Sequence, residues 1–249
     1  MTPPHPLSDL SLSVVVMAYN EAATLESVVQ ELAGEARTTC RRFEILIVDD
    51  GSTDGTGPLA DRLAGDMAEV RVVHLPRNSG IGEVLRTGYR EARNDLVAVF
   101  PADGQCPAAS LKPFVALMAS HDLVLAYIPK RKNPPLATLL SKAERLLMHL
   151  LFGPMPRFQG TYMFRRAVLE RFRLTSKGRG WLIQMELILR AQRAGCRIVS
   201  VPTEVRRRLS GSSKATSLRS VVANLNQVLP LFWNLQREKF RTHRREAPP

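Results

Sequence analysis

Two adjacent carboxylates, Asp49 and Asp50, end the apolar run 45–48, and Gly51, Ser52 and Gly55 follow at once. A β-favouring run that ends in acids and turn formers reads as the carboxyl end of a buried parallel strand. In open α/β sheets ligands bind in the crevice outside such strand ends, so Asp49 and Asp50 stand where a nucleotide is expected. Taken alone, the stretch is equally an ordinary strand with an acidic turn. A further carboxylate, Asp103, stands with Gly104 and Gln105 just after the apolar run Leu96–Phe100. A third group is basic: Arg206, Arg207, Arg208 and Lys214 surround Gly211, Ser212 and Ser213. Guanidinium forks with hydroxyl donors on a pliable turn suit a phosphate; the plain alternative is a solvated charge run.

Patterning supplies the elements that must hold these groups. Strands are expected at Leu12–Met17, Phe43–Asp49, Val70–His74 and Leu96–Phe100. Between them lie helical stretches at Glu21–Arg37, with Asn20 as its N-cap, at Thr56–Leu63 and at Glu83–Ala92. Strict alternation of strand and helix argues for an α/β fold, a mostly parallel sheet flanked by helices. Tyr19, Asp49, Asp50 and Asp103 then open on one edge. The Gly-rich turn Asn78-Ser79-Gly80-Ile81-Gly82 opens the third helix, where backbone N–H groups can face an anion.

The second half is expected to hold helices at Leu111–Met118, Leu136–Phe152, Val168–Phe172 and Trp181–Ala194. Strands are expected at Asp122–Tyr127, Gln159–Phe164 and Arg197–Thr203, and Ile128–Pro135 is a basic, Pro-rich loop. A flexible leader at 1–10, one domain over 11–214, an amphipathic helix over 215–240 and a basic disordered tail at 241–249 complete the layout.

With 249 residues and 45% hydrophobic content the chain can bury a full core. Its net charge of +12 is unevenly placed, since residues 1–156 hold 15 Lys/Arg against 18 Asp/Glu and residues 157–249 hold 20 against 5. A basic half suits nucleic acid, an anionic membrane surface or a phosphate-bearing substrate. No nucleic-acid-binding motif accompanies the charge, which argues against the first. Cys40, Cys106 and Cys196 are too few and too scattered for a disulfide framework or a metal cluster. With no apolar run of transmembrane length and no export signal in the first ten residues, the expected location is cytoplasmic, with peripheral attachment to the cytoplasmic face of a membrane. The stripe Leu218, Val221, Val222, Leu225, Val228, Leu229, Phe232 and Trp233, followed by Arg237, Lys239, Arg241, Arg244 and Arg245, suits an interfacial helix. Packing against the domain or across a dimer interface is the competing reading, and the oligomeric state stays open.

Six segments, in order, carry a resemblance: VVVMAYNEAATL at 14–25, LIVDDGSTDGT at 46–56, Asn-x-Gly-x-Gly at 78–82, Asp-Gly-Gln at 103–105, MELILRAQRAGCRIVSVP at 185–202, and Arg208-x-x-Gly211-x-Ser213-Lys214. Together they resemble glycosyltransferase family 2, and within it the dolichol-phosphate mannosyltransferase-like branch of polyprenyl-phosphate glycosyltransferases. The resemblance implies a GT-A fold and inverting transfer of a hexose from a nucleotide-diphosphate sugar to a polyprenyl phosphate. It implies that Ala18, Tyr19, Asn20 and Glu21 border the base and ribose, joined by Asp49, and that Asp50 accepts hydrogen bonds from the base. Asp103 would bind Mg²⁺ or Mn²⁺ with help from Gln105, and Ala102 beside it would contact the substrate. Arg206, Arg208, Ser213 and Lys214 would contact the donor diphosphate and the acceptor phosphate, with Arg208 counted as catalytic alongside Asp103. Lys130 and Arg131 lie near the branch's acceptor-phosphate arginines.

Three positions depart from the family's pattern. Pro101 stands where the first Asp of Asp-x-Asp is usual, so one carboxylate is missing and the turn is stiffened. Ile81 replaces a Lys or Leu, and Gln184 replaces an Asp common just before Met185-Glu186. The last change bears on mechanism, because a neutral hydroxyl acceptor needs a general base whereas a phosphate acceptor is already ionised and needs positioning. The pattern therefore leans to a lipid-phosphate acceptor, while Glu186 serves either as a base or as an ion-pair anchor. Two other readings stand beside this one: a family 2 enzyme acting on a soluble or different lipid acceptor, and a degenerate, non-catalytic binder of nucleotide or anionic lipid.

Overall fold

The computed structural model of the protein describes residues 10–129, 146–177, 179–206 and 228–238. Strands β1 (Leu12–Ala18), β2 (Phe43–Asp49), β3 (Val70–His74) and β4 (Leu96–Pro101) alternate with helices α1 (Leu25–Thr39), α2 (Thr56–Asp66) and α3 (Ile81–Glu91). Beyond them come α4 (Leu111–Leu117), β5 (Leu123–Tyr127), β6 (Tyr162–Arg165), α5 (Leu182–Arg193) and β7 (Ile198–Pro202). Residues 146–152 and 228–238 are also helical.

The strands form one sheet in the order β3-β2-β1-β4-β6-β5-β7. The first four pair in parallel, as do β5 and β7, and β6 runs antiparallel to both β4 and β5. Successive side chains of a strand point to opposite faces, and both faces are covered. Val14, Val16, Ile45, Ile47, Ala98 and Phe100 face α1, α2 and α4. Val15, Leu46, Val48, Val97 and Val99 face α3 and α5. Burial on two sides is why β1, β2 and β4 read as near-continuous apolar runs.

The reversal of β6 matters for the site. Val99 and Leu125 both pair with Tyr162, so the stretch entering β6 lies on the same edge as the residues leaving β4 and β5.

Two local expectations are corrected. Asn20 is no N-cap: α1 begins at Leu25 with Thr24 before it, while Asn20 sits at φ +54° with its Oδ1 accepting the Thr53 N–H at 2.8 Å. The Thr53 donor outcompetes the helix for that oxygen. Helix α3 begins at Ile81, because the Gly80 carbonyl already accepts the Glu83 and Val84 N–H groups. The leader at 1–9, residues 130–145 with Arg131, and residues 207–227 with Arg208, Ser213 and Lys214 lie outside the described residues, as does the tail from 239.

Candidate active site

The carboxyl ends of β1 and β2 are stitched together by short bonds. The Asp50 N–H donates to the Ala18 carbonyl at 2.9 Å, the Asn20 N–H to Ser52 Oγ at 2.9 Å and the Glu21 N–H to Thr56 Oγ1 at 2.8 Å. Ala18, Asn20 and Glu21 therefore hold the turn that follows β2, and Tyr19 stands between them, half-buried.

Asp49 is buried and organises that turn. One oxygen accepts the Ser52 N–H at 3.1 Å and the Ser52 hydroxyl at 2.5 Å, and the other lies 3.0 Å from His74 Nδ1. Asp50 points to the Gly-rich turn, accepting the Ser79 N–H at 2.7 Å and the Gly80 N–H at 2.8 Å. The anion at this turn is thus the protein's own carboxylate. Burial pushes the Asp50 pKa up; the two N–H donors and the Arg179 guanidinium pull against it.

Both turns require glycine. Gly51 has φ +65°, and a Cβ there would come within 2.6 Å of the Arg77 backbone. Gly80 has φ +87°, and a Cβ would meet the Arg179 carbonyl at 2.6 Å. Only a residue lacking a side chain fits such places without strain. Arg179 closes over this turn, its carbonyl accepting the Gly82 N–H at 3.0 Å and its guanidinium donating to Asn78 Oδ1. Its link to the turn was not legible in sequence beyond a basic residue beside Gly180.

At the centre of the edge, the Ala102 N–H donates to the Met17 carbonyl at 2.9 Å and Asp103 Oδ1 accepts the Gln105 N–H at 3.1 Å. Pro101 is the last residue of β4, beyond the Val99–Tyr162 pair where β6 stops pairing. A missing N–H there interrupts no bond to β6. Beside Asp103, burial drives the Cys106 thiol up to about 11, with the Asp103 charge adding to the shift. That thiol stays protonated near neutral pH and is no nucleophile.

On the far side of Asp103 the Arg206 N–H donates to the Gln105 carbonyl at 2.9 Å, while its guanidinium pairs with Glu31 at 2.8 Å. Arg206 is thus brought to the site by its backbone and turned away by its side chain. A different cation stands here: the Arg157 guanidinium lies over the Tyr127 ring, 5.5 Å from its centroid. Sequence reasoning passed over Arg157 because its placement depends on the reversed strand β6.

Glu186 is an anchor. Its fully buried carboxylate accepts the Thr175 N–H and hydroxyl, the Ser176 N–H at 2.7 Å and Arg190 Nε at 2.7 Å. Burial would raise its pKa, but the donors from Ser176, Arg190 and Thr175 prevail and hold it below the usual range. A carboxylate so occupied cannot reach a substrate proton. Gln184 is buried too, and its side-chain amide finds no partner among the described residues; an ionised Asp would be costlier there than a neutral amide.

A groove of about 490 Å³ runs past Asp49, Ser52, Thr53 and His74. Among the described residues no cluster of three or more His, Cys, Asp and Glu could hold a metal ion, and no helix is long and apolar enough to cross a membrane.

Comparison with known proteins places this geometry. The model of "Glycosyl transferase family 2" matches residues 13–173. The chain is 32% identical over 214 residues to the polyprenol monophosphomannose synthase of Mycolicibacterium smegmatis, a match covering 81% of this chain and 79% of that protein. It is 28% identical over 236 residues to the glycosyltransferase AglD of Haloferax volcanii; there the match covers 91% of this chain but 38% of the relative, so the chain spans well under half of AglD. Among solved structures, the mannosyltransferase PcManGT of Pyrobaculum calidifontis, in complex with GDP-Man and Mn²⁺, superposes with a TM-score of 0.67 at 20% identity, over 94% of this chain and 66% of that one. That is a likeness of fold.

Proposed function

The chain belongs to glycosyl transferase family 2, and on that footing we propose that it transfers a hexose, with inversion, from a nucleotide-diphosphate sugar to a polyprenyl phosphate at a membrane surface. The observation that carries the acceptor is the 32% identity, over about four-fifths of both chains, to a polyprenol monophosphomannose synthase. The site supports it independently, because Glu186 is locked away as an anchor and a phosphate acceptor needs no base.

The nucleotide lies across the β1–β2 half of the edge, bordered by Ala18, Tyr19, Asn20, Glu21 and Asp49. Asp50 serves it by fixing the 78–80 turn, and its remaining lone pairs face the base. The donor set fits a divalent cation held jointly with substrate: Asp103 offers a carboxylate and Gln105 a side-chain carbonyl, both hard oxygen ligands. Mg²⁺ or Mn²⁺ is commonly bound through one or two carboxylates together with substrate phosphates and water. When bound, such an ion neutralises charge on the departing diphosphate. Arg208, Ser213 and Lys214 supply the remaining cationic and hydroxyl contacts to phosphate, with Arg131 on the acceptor side; Arg206, its guanidinium paired with Glu31, contributes only the backbone bond that ties this segment to Gln105. In the transfer, an oxygen of the ionised acceptor phosphate forms a bond to the anomeric carbon. The bond from that carbon to the diphosphate breaks, and its electron pair leaves with the nucleoside diphosphate.

The protein is peripheral in this reading. The helical residues 146–152 and 228–238 turn Leu146, Leu150, Leu229 and Trp233 outward, and the basic residues that follow in sequence suit an anionic surface.

The test is transfer by purified protein from a panel of UDP-, GDP- and dTDP-sugars to a short polyprenyl phosphate, with and without Mn²⁺ or Mg²⁺. Metal-dependent transfer that needs the lipid, is lost in Asp103→Ala and is weakened in Arg208→Ala is the expected result. Turnover with soluble acceptors only would overturn the acceptor; nucleotide binding without any turnover would overturn the enzyme.

A further inference from the structure

We infer that Arg157 is an acceptor-binding residue, its guanidinium taking the phosphate group of the acceptor. The inference rests on the transfer proposed above. Its starting point is the way four segments close around one spot on the sheet edge. The Gln159 N–H donates to the Ala126 carbonyl at 2.7 Å, the Thr203 N–H to the Tyr127 carbonyl at 2.9 Å and the Arg206 N–H to the Gln105 carbonyl at 2.9 Å. An ideal Cβ on Gly160 would lie 3.9 Å from Cys106 Sγ. The residues leaving β4 with Asp103, those leaving β5 and β7, and those entering β6 thus share one corner.

Among the described residues, Arg157 is the cation this corner leaves available. It is exposed, and among the described residues it has no carboxylate partner, whereas Arg206 is paired with Glu31. Stacking on Tyr127 at 5.5 Å holds the guanidinium without using its N–H donors. A planar fork so presented suits an oxyanion. The position chooses between the two phosphates of the reaction. The groups assigned to the nucleotide lie on the β1–β2 side of Asp103, and Arg157 lies on the β6–β5 side. An in-line displacement brings the acceptor anion from the side away from the leaving diphosphate.

Arg157→Ala and Arg157→Lys would be compared with wild type in three measurements: steady-state KM for a short polyprenyl phosphate and for the donor, calorimetric binding of farnesyl phosphate without donor, and thermal unfolding. In Arg157→Ala the acceptor KM is expected to rise by roughly tenfold or more, the size of a lost charge-assisted hydrogen bond. Farnesyl phosphate binding should weaken in parallel, donor KM and Tm should hold, and Arg157→Lys should recover part of the loss. An unchanged acceptor KM, or a rise confined to the donor, overturns the assignment. If wild type fails to glycosylate any lipid yet binds farnesyl phosphate through Arg157, the transfer reading falls and the site stands. If farnesyl phosphate binds wild type and Arg157→Ala equally, the site falls.

Discussion

The buried carboxylate of Asp50 accepts the Gly80 N–H at 2.8 Å, joining the end of β2 to the start of α3 across 30 residues. With its other oxygen on the Ser79 N–H, Asp50 fixes a turn that the left-handed Gly80 alone would leave to several conformations. Asp50→Asn keeps the shape but can offer only one oxygen, leaving one N–H facing an amide donor. We expect a loss of about 1–3 kcal/mol in unfolding free energy and weaker binding of UDP or GDP. Gly80→Ala should cost a similar amount through its strained φ and the contact with the Arg179 carbonyl. Urea denaturation of both variants checks the pair; a neutral Gly80→Ala would show that the turn is soft.

His74 bridges two acids, with Nδ1 at 3.0 Å from Asp49 and Nε2 at 2.9 Å from Asp61. The bond to Asp49, then that to Asp61, raises its pKa above the ordinary value. A histidine whose folded pKa exceeds its unfolded one stabilises the fold fully below about pH 6.5, and that stabilisation is lost as the pH climbs through the folded value. The urea midpoint of wild type should therefore fall more than that of His74→Gln as the pH rises above about 6.5. Parallel curves for the two proteins would remove His74 from the account.

Local chemistry made much of this fold legible. Strands Phe43–Asp49 and Val70–His74 fall where the apolar runs put them, because each is bounded by charge or turn residues that end it unambiguously. The strand expected at Gln159–Phe164 lies at Tyr162–Arg165 instead. Its first residues serve a pairing with β4 and β5 that no local pattern encodes, and that same pairing hid Arg157. The Asn20 cap failed for a related reason, since its competing donor, Thr53, is 33 residues away. Glu186 reads in sequence as base or anchor, and only the convergence of Thr175, Ser176 and Arg190 decides for anchor.

Arg190 links that anchor to the C-terminal helix. Its guanidinium is buried, pairs with Glu186 at 2.7 Å and takes both oxygens of the half-exposed Glu238, at 2.6 and 3.0 Å. Removing one partner of a buried pair leaves an uncompensated charge, so Arg190→Met should cost about 3–5 kcal/mol. Glu238→Gln touches the wet end only and should cost about 1 kcal/mol or less. Guanidinium chloride unfolding of the two variants measures the contrast; equal costs would mean that Glu186 is satisfied without Arg190.

The helical residues 228–238 settle how the apolar stripe expected there is divided. Val228, Leu231 and Leu235 are buried, the latter two against Leu189 of α5, whereas Leu229 and Trp233, one turn apart, are exposed. Residues 146–152 join them through the edge-on contact of Phe152 with Phe232, centroids 5.9 Å apart, and add Leu146 and Leu150, the latter 73% exposed. The inner side packs on the domain and the outer side presents three leucines and a tryptophan. Addition of anionic phospholipid vesicles should blue-shift the tryptophan emission, and raised salt should reverse the shift because Arg237 and the basic residues after it act by screened attraction. The double change Leu150→Glu with Trp233→Glu should reduce sedimentation with vesicles by about tenfold or more, two apolar side chains each being worth about 1.5–3 kcal/mol when buried. Unaltered urea unfolding would confirm that only the outer face was changed. Equal sedimentation of the variant and wild type would return these helices to a purely structural role.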